Sequence, residues 1–128
     1  MSNLDVTPPI VGERQMIDAY GGGKFRVAGH EHRGSVIVLP GSTLAWGVTD
    51  VAAITFESLA PAVSADPPTE VVLIGCGSRF ILPVPGIQAS LREIGVALEW
   101  MDTGAACRTF NVLLAEERRI AAALIAVD

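Results

Sequence analysis

From Gln15 onward the chain alternates polar and apolar residues in two runs, QMIDAY and KFRVAG, set on either side of the glycines Gly21 to Gly23. Period-two alternation marks a half-buried strand and glycine supplies a turn, so this segment predicts a β-hairpin. HEHR is read as the next turn. GSVIVLP is apolar without alternation, the pattern of a strand covered on both faces, and Pro40-Gly41-Ser42 ends it. DVAAIT reads as another short strand. ESLAPAVSA reads as a short helix with Ser58 as its cap, which leaves Pro61 in the first turn where proline is tolerated. ADPP is a loop.

The second half has clearer periods. EVVLIG is a strand and CGSRFILPVP a long loop. GIQASLREI carries Ile87, Leu91 and Ile94 at i, i+4 and i+7, the stripe of an amphipathic helix, and Gly95 stops it. VALEWM is a strand. AACRTFNVLLAE puts Ala106, Phe110, Leu113 and Leu114 on one stripe, and RRIAAALIAV closes as an apolar, central strand. The expected core is Leu91, Ile94, Phe110 and Leu113, with the alternate positions Ile120, Ala122, Leu124 and Ala126 or their neighbours. Strand, helix, strand, helix, strand over residues 70–127 predicts an α/β fold with a mixed sheet, helices on its faces and an antiparallel N-terminal portion. Residues 1–14, with Pro8-Pro9 and Gly12, read as a flexible lead-in. Residues 15–128 read as one domain, the size expected for a chain of 128 residues.

Composition narrows the function classes. Half the residues are hydrophobic and mean hydropathy is +0.45, so a sizeable core is expected. Nine basic against 14 acidic residues give a net charge of -5, which argues against nucleic acid as a partner. The longest apolar run, IAAALIAV, is far short of the roughly 20 residues of a membrane span. The N-terminus has neither the basic start nor the apolar block of a secretory signal. Two cysteines make no disulfide framework, so a soluble cytoplasmic protein is expected.

If strands 70–75 and 96–101 are parallel, their exits GCGSRF and MDTGAACR open on the same edge of the sheet, where open α/β folds bind ligands. The candidate binding edge is then Gly75, Cys76, Gly77, Arg79, Asp102, Thr103, Cys107, Arg108 and Asn111. The plain reading competes at each position. Asp102 or Thr103 is first of all a helix cap. Cys107 borders the apolar stripe, which favours a buried thiol over a nucleophile. Arg108 and Asn111 fall outside the stripe and face either solvent or the sheet edge. Gly75 and Gly77 permit a tight turn around Cys76. GCGSRF lacks the third glycine of a dinucleotide fingerprint, and GGGKF has Phe25 where a phosphate loop needs a hydroxyl. His30 and His32 would share a face if extended, but two histidines are short of the three or four ligands zinc takes. Trp46 covers the core rim or anchors a partner, and its sequence context favours neither. No catalytic residue, metal or cofactor is expected.

The segments IDAYGGGKFRVAG, GSVIVLP, ESLAP, LIGCGSRF and MDTGAACRTFNVLLAEERRIAAALI resemble a domain-of-unknown-function family. That family includes the mitochondrial complex I (NADH dehydrogenase) assembly factor 3 and many small bacterial proteins. The resemblance runs over roughly residues 17–127. It implies a three-layer α/β fold with a mixed central sheet and no established enzymatic chemistry. Related sequences often carry a tyrosine where this chain has Phe110, so no role that needs that hydroxyl carries over. The absence of a mitochondrial transit segment favours a bacterial cytoplasmic protein.

Two functions follow as expectations. The first is a non-enzymatic protein-interaction or assembly-factor-like module with an unknown protein partner, acting as monomer or homodimer. The second is binding of a small anion or carboxylate at the carboxyl edge, through the helix N-terminus with Arg79 or Arg108. An exposed apolar patch near Trp46 or the N-terminal hairpin would point to the first.

Overall fold

A computed structural model of the protein describes residues 14–128, so the expected lead-in lies outside the described residues except for Arg14. The alternating N-terminal runs form β1 (Ile17–Gly21) and β2 (Lys24–Val27), paired antiparallel. Gly22 and Gly23 turn between them at φ 63° and 78°, a backbone that side chains rarely adopt and that matches the twist of a two-residue hairpin. HEHR is not the turn. It is a third strand, β3 (His30–Arg33), and the turn before it is Ala28-Gly29. Pairing to β2 defines this strand, whose own polar residues carry no alternation. The three strands form a separate antiparallel sheet in the order β1-β2-β3.

The main sheet has five strands in the order β5-β4-β8-β6-β7. The members are β4 (Val36–Val38), β5 (Thr43–Ala45), β6 (Val71–Gly75), β7 (Ala97–Met101) and β8 (Ile120–Leu124). β6 pairs in parallel with both β7 and β8, whereas β4 is antiparallel to β8 and to β5, so the sheet is mixed with β8 at its centre. The strand alternation feeds two cores. Val36, Val38, Leu73, Ala122 and Leu124 face Ile17, Phe25, Val27 and the helix α3 (Thr103–Ala115). Ile37, Val72, Ile74, Ala121 and Ala123 face the other layer, built from α1 (Ala60–Val63), α2 (Ile87–Glu93) and the segment from Trp46 to Leu59. The result is the expected three-layer arrangement, with the small sheet and α3 on one side and the shorter helices on the other.

Four local expectations fail for physical reasons. DVAAIT is a single 3-10 turn, Val51–Ala53, because the Asp50 carboxylate accepts from the Ala52 N–H and caps it. Ser58 does not cap the helix. Its N–H donates to Thr55 Oγ1 and its hydroxyl donates to the Thr55 carbonyl, so the pair closes a turn ahead of α1. Ile94 is 52% exposed, because α2 ends at Glu93 and Gly95 takes φ 79°, turning Ile94 off the stripe. Leu113 is half-buried at the margin of a core rather than inside it, whereas beside the half-buried Ala126 its neighbour Ile125 is buried as expected.

Phe110 has no exposure, so Phe110→Ala is expected to cost about 3–5 kcal/mol in urea denaturation, whereas Ile94→Ala should stay within about 0.5 kcal/mol. Equal losses at the two positions would contradict the assignment of the helix faces.

Candidate functional site

The parallel register puts the exits of β6 and β7 side by side, with Gly75 opposite Met101. Thr103, the first residue of α3, sits between them and has no exposure. Its N–H donates to the Gly77 carbonyl at 2.8 Å, its Oγ1 accepts from the Gly77 N–H at 3.1 Å, and the same hydroxyl donates to the Ile125 carbonyl at 2.8 Å. One side chain thus joins the end of β6, the end of β8 and the start of α3. Gly75 is the close approach this requires: a methyl group there would lie 2.9 Å from Thr103 Cα and 3.0 Å from its Oγ1.

The other candidates serve this junction or stand apart from it. Asp102 is the cap of α3 and accepts from the Ala105 N–H at 2.8 Å. Cys107 is buried against the core, and burial pushes its thiol up to about 12, outweighing the nearby Arg108 guanidinium, which acts in the opposite direction. Cys76 is also buried, and its Sγ accepts from the Ile81 N–H at 3.3 Å. Asn111 is not at the edge at all. Its amide faces β1, accepting from the Ile17 N–H and donating to the Ile17 carbonyl, both at 2.9 Å, as a neighbouring strand would. Arg79 and Arg108 are exposed. Arg108 lies by Gly104, over which the Tyr20 ring from β1 is placed.

The exposed feature of this edge is one the pattern reading passed over as a loop. Phe80, Ile81 and Leu82 are 56%, 47% and 77% exposed in succession. Their loop is held at its base, because Trp100 Nε1 donates to the Ile81 carbonyl at 2.7 Å while Cys76 takes the Ile81 N–H. The signal available in the sequence was FIL followed by Pro83 and Pro85, an apolar run in a segment with no regular period. Trp46, by contrast, is only 6% exposed and donates through Nε1 to the Ser58 carbonyl, so it closes a core.

His30 and His32 pair with Val27 and Phe25, which puts them on one face of β3. Partial burial, and then the neighbouring His30, hold the His32 imidazole below its ordinary value. Among the described residues, no group of three or more His, Cys, Asp or Glu is placed to hold a metal ion. A cavity of about 640 Å³ lies at the opposite edge, where β6 and β8 begin, between Leu39, Pro67, Leu114 and Ile120. Two arginines on its rim, Arg118 and Arg119, are engaged by Glu70, whose carboxylate is held below its usual range chiefly by the Arg118 hydrogen bond.

The family model described as "Protein of unknown function (DUF498/DUF598)" matches residues 17–125. An uncharacterised protein of Rhodobacter capsulatus is 39% identical over 110 residues, covering 85% of this chain and 82% of that protein. NADH dehydrogenase (ubiquinone) 1 alpha subcomplex assembly factor 3 of Xenopus tropicalis is 37% identical over 113 residues, covering 88% of this chain but 62% of the assembly factor. The chain therefore spans about three fifths of that relative's length. A solved crystal structure, described as an outer membrane protein from Bartonella henselae, superposes with a TM-score of 0.82 at 40% identity and covers 92% of this chain and 99% of that one.

Two predictions test the junction and the buried thiol. Thr103→Val, which keeps the shape and strands the Gly77 N–H and Ile125 carbonyl, is expected to cost about 2–4 kcal/mol in chemical denaturation, with Thr103→Ser retaining most of the stability. A Val variant as stable as the native protein would mean that the hydroxyl joins nothing of consequence. The second concerns alkaline pH. A thiol whose native value is about 12 against an ordinary 9.0 loses its proton first in the unfolded chain. Its stabilising contribution is therefore complete below pH 9 and declines as pH rises toward 12. Cys107→Ala should flatten that part of the stability profile, and native Cys107 should resist a thiol reagent at neutral pH until the chain is denatured. Fast labelling of the folded protein would contradict a structural thiol.

Proposed function

Since the chain belongs to the DUF498/DUF598 family of proteins of unknown function, we propose that residues 15–128 act as one α/β unit and as a non-enzymatic, assembly-factor-like module for protein interaction. The observation that carries this reading is the loop at Phe80–Leu82. Three neighbouring apolar side chains stand in solvent on a loop whose base is fixed by Cys76 and Trp100. Exposed apolar groups on a prearranged backbone bind at low entropic cost, because little ordering remains to be done on contact. The residues around them are already spent on structure: Thr103 and Asp102 hold the helix, and Cys107 is a protonated, buried thiol. Support also comes from the assembly-factor relatives, whose name describes work on another protein. The reading places the protein in the cytoplasm, in keeping with two free, buried thiols.

The test is affinity capture from the native cell with cross-linking mass spectrometry, comparing the protein with a Phe80→Ser/Leu82→Ser variant. Both side chains are exposed, so stability should change by less than about 0.5 kcal/mol for each substitution. Specific partners cross-linked near residues 79–85 should be lost from the variant. An unchanged partner set would remove the loop from this role.

A further inference from the structure

The chain has two histidines, His30 and His32, and both stand on β3, the outer strand of the small sheet. The register of β2 with β3 sorts the side chains of these two strands. Lys24, Arg26, Glu31 and Arg33 share one face, where Glu31 is held by Lys24 at 3.5 Å and by Arg33 at 3.9 Å. Phe25, Val27, His30 and His32 share the other. Every charged side chain of the two strands therefore lies across the sheet from the imidazoles. Residues two apart on a strand are separated by about 7 Å, a gap that two imidazoles can close on one ion, each metal–nitrogen bond being about 2 Å long. Burial, and after it the nearby His30, hold the His32 imidazole below its ordinary value, so the two rings already sense each other. Among the described residues neither ring makes a hydrogen bond or an ion pair.

We propose that His30 and His32 form a two-histidine site for a divalent late-transition-metal ion, an exchangeable site whose other positions are taken by water. Imidazole suits Zn²⁺, Ni²⁺ and Cu²⁺, whereas Mg²⁺ takes oxygen ligands. Two protein ligands fall short of a structural zinc site, and no third among the described residues joins them, so the ion stays open to solvent and exchanges. The rest of the chain offers such an ion little competition. There is no other histidine, and both thiols are buried. The cations of β2 and β3 face away from the imidazoles, and the net charge of -5 draws cations toward the molecule. The site lies on the small sheet and depends on neither the apolar loop nor a protein partner.

Isothermal titration of the purified full chain, carrying no histidine tag, with zinc chloride and separately with magnesium chloride tests the site. One Zn²⁺ should bind per chain, and Mg²⁺ should not compete for it. His30→Ala and His32→Ala should each weaken Zn²⁺ binding about tenfold or more, because an ion held by one imidazole meets the other at high effective concentration, and the double variant should lose the site. Glu31→His combined with His32→Glu keeps two histidines in β3 but sets them on opposite faces, so it should bind no better than either single variant. All three positions are at least partly exposed, and circular dichroism checks that each variant keeps the fold. Absence of Zn²⁺ binding by the native chain overturns the proposal. So does a single variant, or the exchanged pair, that binds as tightly as the native chain, because the ion would then sit elsewhere or on one isolated ring.

Discussion

The hydroxyl of Thr103 is the interaction on which this architecture closes. Two parallel strands, β6 and β8, arrive at one edge of the sheet and α3 departs from it. Each brings backbone groups that must find partners out of water. Thr103 Oγ1 accepts from Gly77 and donates to Ile125, and its own N–H donates to the Gly77 carbonyl. Nothing larger than a hydrogen fits at Gly75, because the threonine backbone is already at contact distance. The register of the sheet, the entry of α3 and the position of the apolar face of that helix follow from this one junction.

A consequence is that the carboxyl edge, where many α/β proteins place chemistry, is here occupied by structure. Asp102 caps, Thr103 bridges, and Cys107 is held protonated by its burial. Asn111 is drawn away from the edge altogether, to complete the hydrogen bonds of β1. Beside the exposed Arg79 and Arg108, the accessible part of the edge is apolar: a loop fixed at Ile81 by an indole and a thiol, with phenyl and aliphatic side chains turned to solvent. The same indole belongs to the edge strand β7, so the loop and the open end of the sheet are mechanically one region.

The fold was legible wherever burial writes a period into the chain. Ile87 and Leu91, Ala106 and Phe110, and the unbroken run from Ile120 to Leu124 placed two helices and the central strand correctly, and the parallel pairing followed from their order. Legibility failed where an element is defined by its neighbours. β3 is a strand because Phe25 and Val27 pair with its histidines, and β5 is three residues of which Leu44 faces solvent. DVAAIT looks like a strand until the Asp50 carboxylate closes a turn over it. Thr103 could be read as near a helix start, but its bonding partners lie 26 and 22 residues away in sequence, which no local pattern encodes. The exposed loop carried a signal, three apolar residues ahead of Pro83, that is indistinguishable from core sequence until exposure is known.

Native-state hydrogen exchange measures the junction directly. The amides of Gly77, Thr103 and Ile125, which close it, should exchange only through global unfolding, with opening free energies equal to the stability of the whole protein. The Leu82 amide, in the exposed loop, should exchange far faster. Exchange of Gly77 and Thr103 at the rate of Leu82, with the β6 and β8 amides still protected, would show that the edge opens independently of the fold and would contradict the account.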